Sequence, residues 1–239
     1  MKIRTFCGLL GIGILLCGCA SDSQQSDVYD PLEPVNRQVF AFNHSLDRHA
    51  ALPAASYYKN AVPGEVREGF HNFLSNLGLP VTFANDVLQG EATRAGESVC
   101  RFGVNTTVGV LGVLDRATEM GCPEHNEDFG LTLGVYGVPG GPYLVLPLLG
   151  STFPRDAAGK ILVDHYFNPL GYVSYRGKMY VSLTETLIKT VDQRSRALPV
   201  LTEVERNSID YYASIRSLYK QKRDSEIRGD DTPPAAAAK

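Results

Sequence analysis

The stretch that decides the fold is EDFGLTLGVYGVPGGPYLVLPLLGSTFPRD, which runs from Glu127 to Asp156. Glycine and proline interrupt its apolar side chains repeatedly, and both residues are unfavourable inside a regular helix. The turn at 138–143 is glycine-rich, but it lacks the G-x-G-x-x-G order and a following helix, so it does not indicate a phosphate site. We therefore predict a bent, irregular apolar segment at the centre of the fold.

Amphipathic helices are predicted before this stretch from the spacing of apolar residues. The first helix follows Asp30 as N-cap and Pro31 as the first helical residue. Its apolar face contains Val35, Val39, Phe42 and Leu46. A second helix is expected to end at Gly78 and Pro80, because proline interrupts the helical hydrogen-bond ladder.

Helices are also predicted after the stretch. A short one ends before Pro169, and Pro199 separates a longer one from the last helix. The last helix carries Val204, Tyr211, Ile215 and Leu218 on one stripe. Long alternating strand patterns are absent from the sequence, so the predicted class is a mostly α single domain.

The N-terminus has the layout of a bacterial lipoprotein leader. Lys2 and Arg4 precede an apolar run of about a dozen residues, shorter than the roughly 18 needed to span a bilayer. The sequence LCGC at 16–19 resembles a lipobox, which predicts a diacylglycerol and N-acyl anchor on Cys19. The alternative is an ordinary signal peptide with a chance cysteine. The predicted boundaries are a signal peptide at 1–18, a tether at 19–29, a folded domain at 30–228 and a disordered tail at 229–239.

The charge balance of the chain argues against one class of partner. Without residues 1–18 the chain has 21 Lys and Arg against 26 Asp and Glu, a formal charge of −5. This acidic balance, without a basic cluster, argues against nucleic acid as a partner.

Two cysteines, Cys100 and Cys122, remain in the chain after the predicted anchor at Cys19. They are either a disulfide, which would close a loop of about twenty residues in an oxidising compartment, or two buried free thiols.

Motifs for catalysis or metal binding are absent. The sequence has no G-x-S-x-G, P-loop or H-E-x-x-H, and its five histidines have no metal-ligand spacing. One acidic cluster stands out, formed by Glu124, His125, Glu127 and Asp128. It is either an acid/base or metal site or, the reading we favour, a solvated or capping loop that satisfies backbone N–H groups before the apolar stretch. No enzyme activity, metal or cofactor other than the lipid anchor is therefore predicted.

Several blocks in order resemble the MlaA/VacJ lipoprotein family. They are DPLEPVNRQVFAFNHSLDR at 30–48, FLSNLGLPVTFANDVLQGE at 73–91, RFGVNTTVGVLGVLDRAT at 101–118 and EDFGLTLGVYGVPGGPYLVLPLLG at 127–150. The resemblance implies a ring of amphipathic helices that lies in one leaflet around an amphipathic channel. It places the chain in the periplasmic leaflet of the outer membrane, and Ala20 after Cys19 agrees with sorting to that membrane.

The resemblance also implies a function and partners. The chain would remove misplaced phospholipids from the outer leaflet, in association with a trimeric porin. It would pass them to a periplasmic lipid carrier that leads to an inner-membrane ABC transporter complex. Two alternatives are a lipid-modifying hydrolase that uses the acidic cluster, and a purely structural porin-associated lipoprotein.

Candidate residues for the channel or its hinges lie in the shared blocks, with simple packing as the alternative. They are Asn43, Gly137, Gly140, Gly141, Pro142 and Tyr143. Small residues and turns at these positions would permit bending and close approach of backbones. Arg155 and Asp156 are expected to form an exposed pair at the end of the stretch, which would contribute little to stability.

Overall fold

The computed structural model describes residues 28–167 and 178–230, and this part of the chain is mostly helical, as predicted. In chain order its elements are α1 (Glu33–Leu46), α2 (Leu52–Ala61), α3 (Gly64–Gln89), α4 (Ala92–Thr107), α5 (Phe129–Val135), β1 (Leu144–Leu146), β2 (Gly150–Thr152), α6 (Pro154–Ala158), α7 (His165–Phe167), α8 (Lys178–Asn207) and α9 (Tyr211–Arg228). Two π-helical turns, Asp47–Ala51 and Gly159–Asp164, join α1 to α2 and α6 to α7. The leader, Cys19, Pro169 and the tail after Asp230 lie outside the described residues.

Helix packing joins both consecutive helices and helices that are far apart in the chain. The most extensive contacts join α3 to α4 and α2 to α8, while α5 packs against α6 and α9. Within the two described ranges, no helix combines the length and the apolar character that crossing a bilayer requires.

Two predicted helix ends are wrong, because both prolines lie inside helices. Pro80 is within α3 and Pro199 is within α8. An interior proline costs about 3 kcal/mol through the lost hydrogen bond and the ring clash. In α3 the turns on both sides of Pro80 bury side chains, Asn76 before it and Asn85 after it, so tertiary packing outweighs that cost.

Two other boundaries are also corrected. Helix α1 begins at Glu33, and Asp30 does not cap it. Instead the Asp30 carboxylate accepts hydrogen bonds from Asn36 (2.8 Å), Tyr212 (2.5 Å) and Arg216 (2.9 Å). The predicted last helix is divided in two, because Asp210 is the N-cap of α9 and its side chain accepts from the backbone N–H of Ala213.

The stretch from Glu127 to Asp156 contains more regular structure than predicted. It begins with α5, which Asp128 caps by accepting a hydrogen bond from the Leu131 N–H at 2.8 Å. Its second half is an antiparallel hairpin in which Val145 pairs with Ser151. Strands of three residues are too short to produce an alternating pattern that sequence analysis detects.

The apolar core is small and centres on this hairpin. Val28, Tyr143, Val145, Phe153 and Tyr212 form one buried cluster. The Tyr143 ring makes edge-on contacts with Phe153 and Tyr212, at centroid distances of 6.2 and 6.1 Å. Helix α9 thus packs against the hairpin through aromatic side chains.

Candidate functional site

The described part of the molecule distributes its side chains in the reverse of the soluble pattern. Its largest fully buried side chains are Tyr143, Asn85, Thr132, Asp86, Asp192, Ser98 and Ser195, all of which carry polar groups. Large aliphatic and aromatic side chains are exposed along several helices and loops. Soluble monomers rarely expose contiguous apolar surface on this scale. The exterior is therefore suited to an apolar phase, and the interior is held by hydrogen bonds.

The loop that follows α4 is apolar and exposed, and we call residues 108–114 the apolar loop. Its exposed side chains are Val108, Val110, Leu111, Val113 and Leu114. Val110 and Leu111 have positive φ angles of 54° and 58°. A β-branched residue at such an angle is a conformational outlier that costs on the order of 1–3 kcal/mol. Surrounding contacts must hold this loop in place.

Buried asparagines supply these contacts. The Asn105 side chain accepts from the backbone N–H groups of Arg116 (2.9 Å) and Ala117 (3.0 Å). The backbone carbonyl of Asn105 accepts from the Gly112 N–H at 2.7 Å. A Cβ on Gly112 would lie 2.5 Å from the Asn76 side chain, so the loop passes directly over α3. The structure also places Cys100 and Cys122 in a disulfide that joins α4 to the segment after the apolar loop. The apolar loop is thus rigid as well as exposed.

Two asparagines on α1 bind the free edge of strand β1. Asn36 accepts from the Val145 N–H at 3.0 Å and donates to the Tyr143 carbonyl at 2.9 Å. Asn43 accepts from the Leu148 N–H and donates to the Leu146 carbonyl, both at 2.9 Å. Seven residues of helix and three of strand both span about 10 Å, so the two side chains match the spacing of the strand. They replace a third strand and fix the hairpin on α1.

We expect Asn36→Ala to destabilise the protein by about 2 kcal/mol, because it leaves two buried backbone groups, the Val145 N–H and the Tyr143 carbonyl, without the Asn36 side chain as partner. The free energy of unfolding, measured by chemical denaturation in detergent, checks this value. Asn43→Ala is the matched control. Asn43 is less buried and holds the hairpin tip, where water can replace it, so we expect a loss below about 1 kcal/mol. Equal losses for both variants would contradict the role of burial.

The other predicted channel or hinge residues lie around the same hairpin. Gly137 and Gly141 have φ angles of 80° and 84°, which favour glycine, and a Cβ on Gly140 would lie 3.1 Å from Phe153. Pro142 is partly buried and precedes the hairpin. Tyr143 is fully buried in the aromatic core, and its hydroxyl pairs with Ser151 at 2.6 Å. Tyr143 therefore packs in the core, and a channel or hinge role for these residues stays a prediction.

A buried polar cluster lies between α3, α4 and the loop before α5. Ser98 donates to Asp86 at 2.6 Å, and His125 Nε2 lies 3.0 Å from the same carboxylate and 3.2 Å from the Ser98 hydroxyl. Glu127 accepts from Gln89 (2.8 Å) and Arg94 (2.9 Å). Burial raises the pKa of Glu127, and the Arg94 charge acts in the opposite direction. The capping role predicted for this loop is confirmed at Asp128, but its solvation is not, since His125 and Glu127 are buried.

The cluster has serine, histidine and aspartate but not the geometry of a nucleophilic triad. In a triad the serine and the aspartate contact opposite nitrogens of the imidazole. Here both lie beside Nε2, and the serine donates directly to the aspartate. All three side chains are buried. In residues 28–167 and 178–230, no group of three or more His, Cys, Asp or Glu side chains is placed to hold a metal ion. The cluster is arranged for structural support.

We expect the stability of the protein to fall as the pH rises through the pKa of His125. Burial alone lowers this pKa, but the hydrogen bond and charge of Asp86 outweigh burial and raise it above 6.5. The stabilisation is complete below pH 6.5, the unfolded value, and is lost above the folded value as the imidazolium loses its proton. Thermal unfolding across pH 5.5–9 measures the effect, and His125→Gln should remove it. An unchanged profile in His125→Gln would contradict the assignment.

A second charged network joins the end of the stretch to α9. Arg155 pairs with Asp156 at 2.8 Å, as predicted, but both side chains are only 6% exposed, so the pair is not a surface pair. Arg223 donates to Asp156 at 3.0 Å and makes a two-pronged contact with Asp128 at 2.9 Å. Burial by itself raises the pKa of Asp128, but the hydrogen bonds and charge of Arg223, together with the Leu131 N–H and the charge of Lys160, outweigh burial and lower this pKa. The Arg223 side chain thus anchors both ends of the stretch.

Sequence reasoning missed most of these supporting residues. Asn36, Asn76, Asn85 and Asn105 are all buried, but only Asn43 was selected. A usable signal was present, since Asn36 lies two helical turns before Asn43 on the same face of α1. Polar residues at helical spacing are normally read as a solvated face, and this reading fails where the exterior is apolar.

Comparison with known proteins identifies relatives over most of the chain. The model of the MlaA lipoprotein family matches residues 28–226. The Escherichia coli protein named intermembrane phospholipid transport system lipoprotein MlaA is 33% identical, over 98% of this chain and 92% of its own. The Haemophilus influenzae protein of the same name is 34% identical, over 92% and 89%. An uncharacterised Rickettsia felis protein is 38% identical, over 84% and 79%.

A solved structure agrees with these sequence matches. It belongs to work on the "structural basis for maintenance of bacterial outer membrane lipid asymmetry". That chain superposes with a TM-score of 0.74 at 33% identity, and the match covers 83% of this chain and 98% of that one. Fold and sequence therefore lead to the same family.

Proposed function

The chain belongs to the MlaA lipoprotein family, and from this membership we propose that it removes misplaced phospholipids from the outer leaflet of the outer membrane. It passes them to a periplasmic lipid carrier, from which they reach an inner-membrane ABC transporter complex. Two relatives are named as lipoproteins of an intermembrane phospholipid transport system, which supports a role in phospholipid transport for this chain. The transport needs no covalent step by this chain.

The observation that carries the proposal is the reversed distribution of polarity. Apolar side chains face outward on helices that do not span, and buried groups such as Asn85, Asp86 and Ser98 face one another. Such a surface suits helices that lie within one leaflet, with apolar faces in the acyl region. Irregular backbone at that depth is tolerated where protein packs around it, as the apolar loop and the hairpin require.

The proposed setting combines these features with what the LCGC sequence at 16–19 and the family resemblance imply. A lipid anchor on Cys19 holds the chain in the periplasmic leaflet of the outer membrane, and the helices form a ring around an amphipathic passage. Headgroups use the polar side of the passage while acyl chains remain in apolar surroundings. A trimeric porin is the proposed neighbour of the apolar exterior, because a barrel wall offers a matching apolar band.

Deletion of the gene tests the proposal. We expect phospholipid to accumulate in the outer leaflet, measured as lipid accessible to an impermeant amine-reactive reagent on intact cells. Sensitivity to SDS with EDTA should rise in parallel, because surface phospholipid weakens the barrier. The full-length chain supplied from a plasmid should reverse both effects. An unchanged outer leaflet in the clean deletion would overturn the proposal and favour a purely structural lipoprotein.

Ser98→Ala distinguishes transport from hydrolysis. The variant keeps the fold, since Asp86 retains His125 as a partner, and we expect it to restore lipid asymmetry as the wild type does. A hydrolase that used Ser98 would lose all activity with this change. Release of fatty acid from phospholipid vesicles by the purified wild type, and not by Ser98→Ala, would favour the hydrolase.

A further inference from the structure

A small cavity lies beneath the apolar loop, between α3, α4 and the loop before α5. Asn72 and Asn76 line it from α3, Arg101 and Asn105 line it from α4, and His125 closes it from the loop. The space open to the centre of a water-sized sphere is about 10 Å³, which corresponds to one water molecule. Any ligand here is therefore no larger than a water molecule or a monatomic ion.

Two buried atoms of this lining have no hydrogen-bond partner in the two ranges that the structure describes. They are Asn76 Oδ1 and His125 Nδ1. Asn76 is 3% exposed and His125 is 7% exposed, so bulk solvent does not supply the partner. Native proteins rarely leave a buried polar atom unpaired, and an internal water is a common partner where protein groups are out of reach. Two such atoms on one small cavity indicate a ligand between them.

The contacts of His125 determine what its second nitrogen can do. Nε2 lies 3.0 Å from the Asp86 carboxylate, which accepts this contact, so Nε2 carries a hydrogen. Nδ1 is then an acceptor in the neutral imidazole and a donor in the imidazolium. The amide nitrogen of Asn76 donates to the Thr106 hydroxyl at 3.0 Å, and its Oδ1 remains an acceptor. The ligand must therefore donate to Asn76 and be able both to donate to His125 and to accept from it.

Ions do not meet this requirement. A cation cannot accept the N–H of the imidazolium, and its charge would be repelled. An anion cannot donate to Asn76 Oδ1, and the cation of the lining is already paired. The Arg101 guanidinium donates to the Thr118 hydroxyl and the Cys122 carbonyl, both at 2.8 Å. Water is neutral, donates and accepts, and has the size of the cavity.

We propose that one water molecule occupies this cavity and bridges Asn76 Oδ1 to His125 Nδ1. The water connects the buried Asp86–His125 pair to the asparagine over which the apolar loop passes at Gly112. When His125 gains or loses its proton, the water turns and keeps both partners. The site goes beyond the proposed function and does not depend on it, because it concerns how the apolar loop is supported.

A high-resolution crystal structure of the full-length protein tests the site directly. We expect one water peak within about 3.2 Å of both Asn76 Oδ1 and His125 Nδ1. Glu97 is the competing partner, because its Oε2 lies 4.0 Å from Nδ1 on a side chain that is 27% exposed. A cavity without density, or Glu97 in direct contact with Nδ1, would overturn the proposal. A metal ion would also overturn it and would be recognised by shorter contacts and more ligands.

Oxygen-17 relaxation dispersion counts the long-lived internal waters in solution. Asn76→Leu keeps the approximate size of the side chain and removes the acceptor, so we expect the count to fall by one, because a water needs at least two polar partners. Asn72→Leu is the matched control one turn earlier on α3. Asn72 also lines the cavity, but its amide donates to the Val113 carbonyl at 3.2 Å, and the count should stay unchanged.

Far-ultraviolet circular dichroism verifies that both variants are folded. An unchanged count in Asn76→Leu, or an equal fall in both variants, would contradict the bridge. If Asn76→Leu does not fold, the crystal structure of the unaltered protein decides between a bridging water and the alternatives. Neither measurement involves lipid transport, so the outcome of the gene deletion and the outcome at this cavity are independent.

Discussion

Gly159→Ala is expected to destabilise the protein by about 3 kcal/mol or more, because its new methyl group would meet backbone on the opposite side of a helix crossing. A Cβ at Gly159 would lie 2.5 Å from the Gly130 nitrogen, and 3.0 Å from the Gly130 Cα and the Phe129 carbonyl carbon. Backbone atoms cannot rotate aside as a side chain can. Helix α5 would have to move away from the π-helical turn, and its other contacts would loosen with it.

Thermal unfolding by circular dichroism at 222 nm in detergent measures this loss. For a domain of this size, 3 kcal/mol lowers the melting temperature by about 6–12 °C. Gly78→Ala is the matched control, because Gly78 also lies in a helix and a Cβ there has no neighbour within 4 Å. The control should be neutral or more stable by up to about 1 kcal/mol, since alanine favours helix. Similar behaviour of the two variants would disprove the close crossing.

Arg223→Ala is expected to cost about 3 kcal/mol, because it leaves the carboxylates that its guanidinium joins without that cation. Arg223 is 7% exposed and Asp156 is 5% exposed, so water cannot replace the lost contacts fully. Asp128 loses a two-pronged partner, while Asp156 keeps Arg155 and the Tyr219 hydroxyl. The larger part of the loss therefore comes from Asp128, the cap of α5.

The free energy of unfolding from chemical denaturation measures this effect, and second substitutions separate its parts. Arg223→Ala/Asp128→Asn should recover about half of the loss, because it removes the unpaired charge. Arg223→Lys should recover little, since lysine cannot make the two-pronged contact. Arg228→Ala is the control on the same helix. Its ion pair with Asp230 is exposed, and we expect a change below about 1 kcal/mol. A loss at Arg228 as large as that at Arg223 would contradict the role of burial.

Gly159 and Arg223 both contact the stretch from Glu127 to Asp156. Different elements of the fold hold the start, the hairpin and the two ends of this stretch. The Gly130–Gly159 crossing fixes its start, Asn36 and Asn43 fix the hairpin, and Arg223 joins its two ends. A passage for lipid that is shaped by this stretch would therefore be set by α1 and α9. Variants at these anchors are expected to alter transport through the position of the hairpin.

The helical fold class could be predicted from short stretches of the sequence. The spacing of Val35, Val39, Phe42 and Leu46 predicts α1, and the ordered blocks predict the family that the comparisons show. The ends of helices were harder to predict. Pro80 and Pro199 lie inside helices, and the tertiary packing of those helices outweighs the free-energy cost of an interior proline. Asp30 and Asp210 have similar capping chemistry, and only their tertiary partners determined which of them caps a helix.

The sequence by itself determined the helical class, the membership of the family and the position of the central stretch, because these follow from periodicity, composition and local order. The tertiary structure alone decided which face of each helix is inside. An apolar stripe has the same period whether it contacts a protein core or an acyl phase. The Asn36–Val145 and Asp86–His125 contacts join residues 109 and 39 positions apart, so no local pattern specifies them. Burial of those polar groups identifies the apolar stripes as the outer surface.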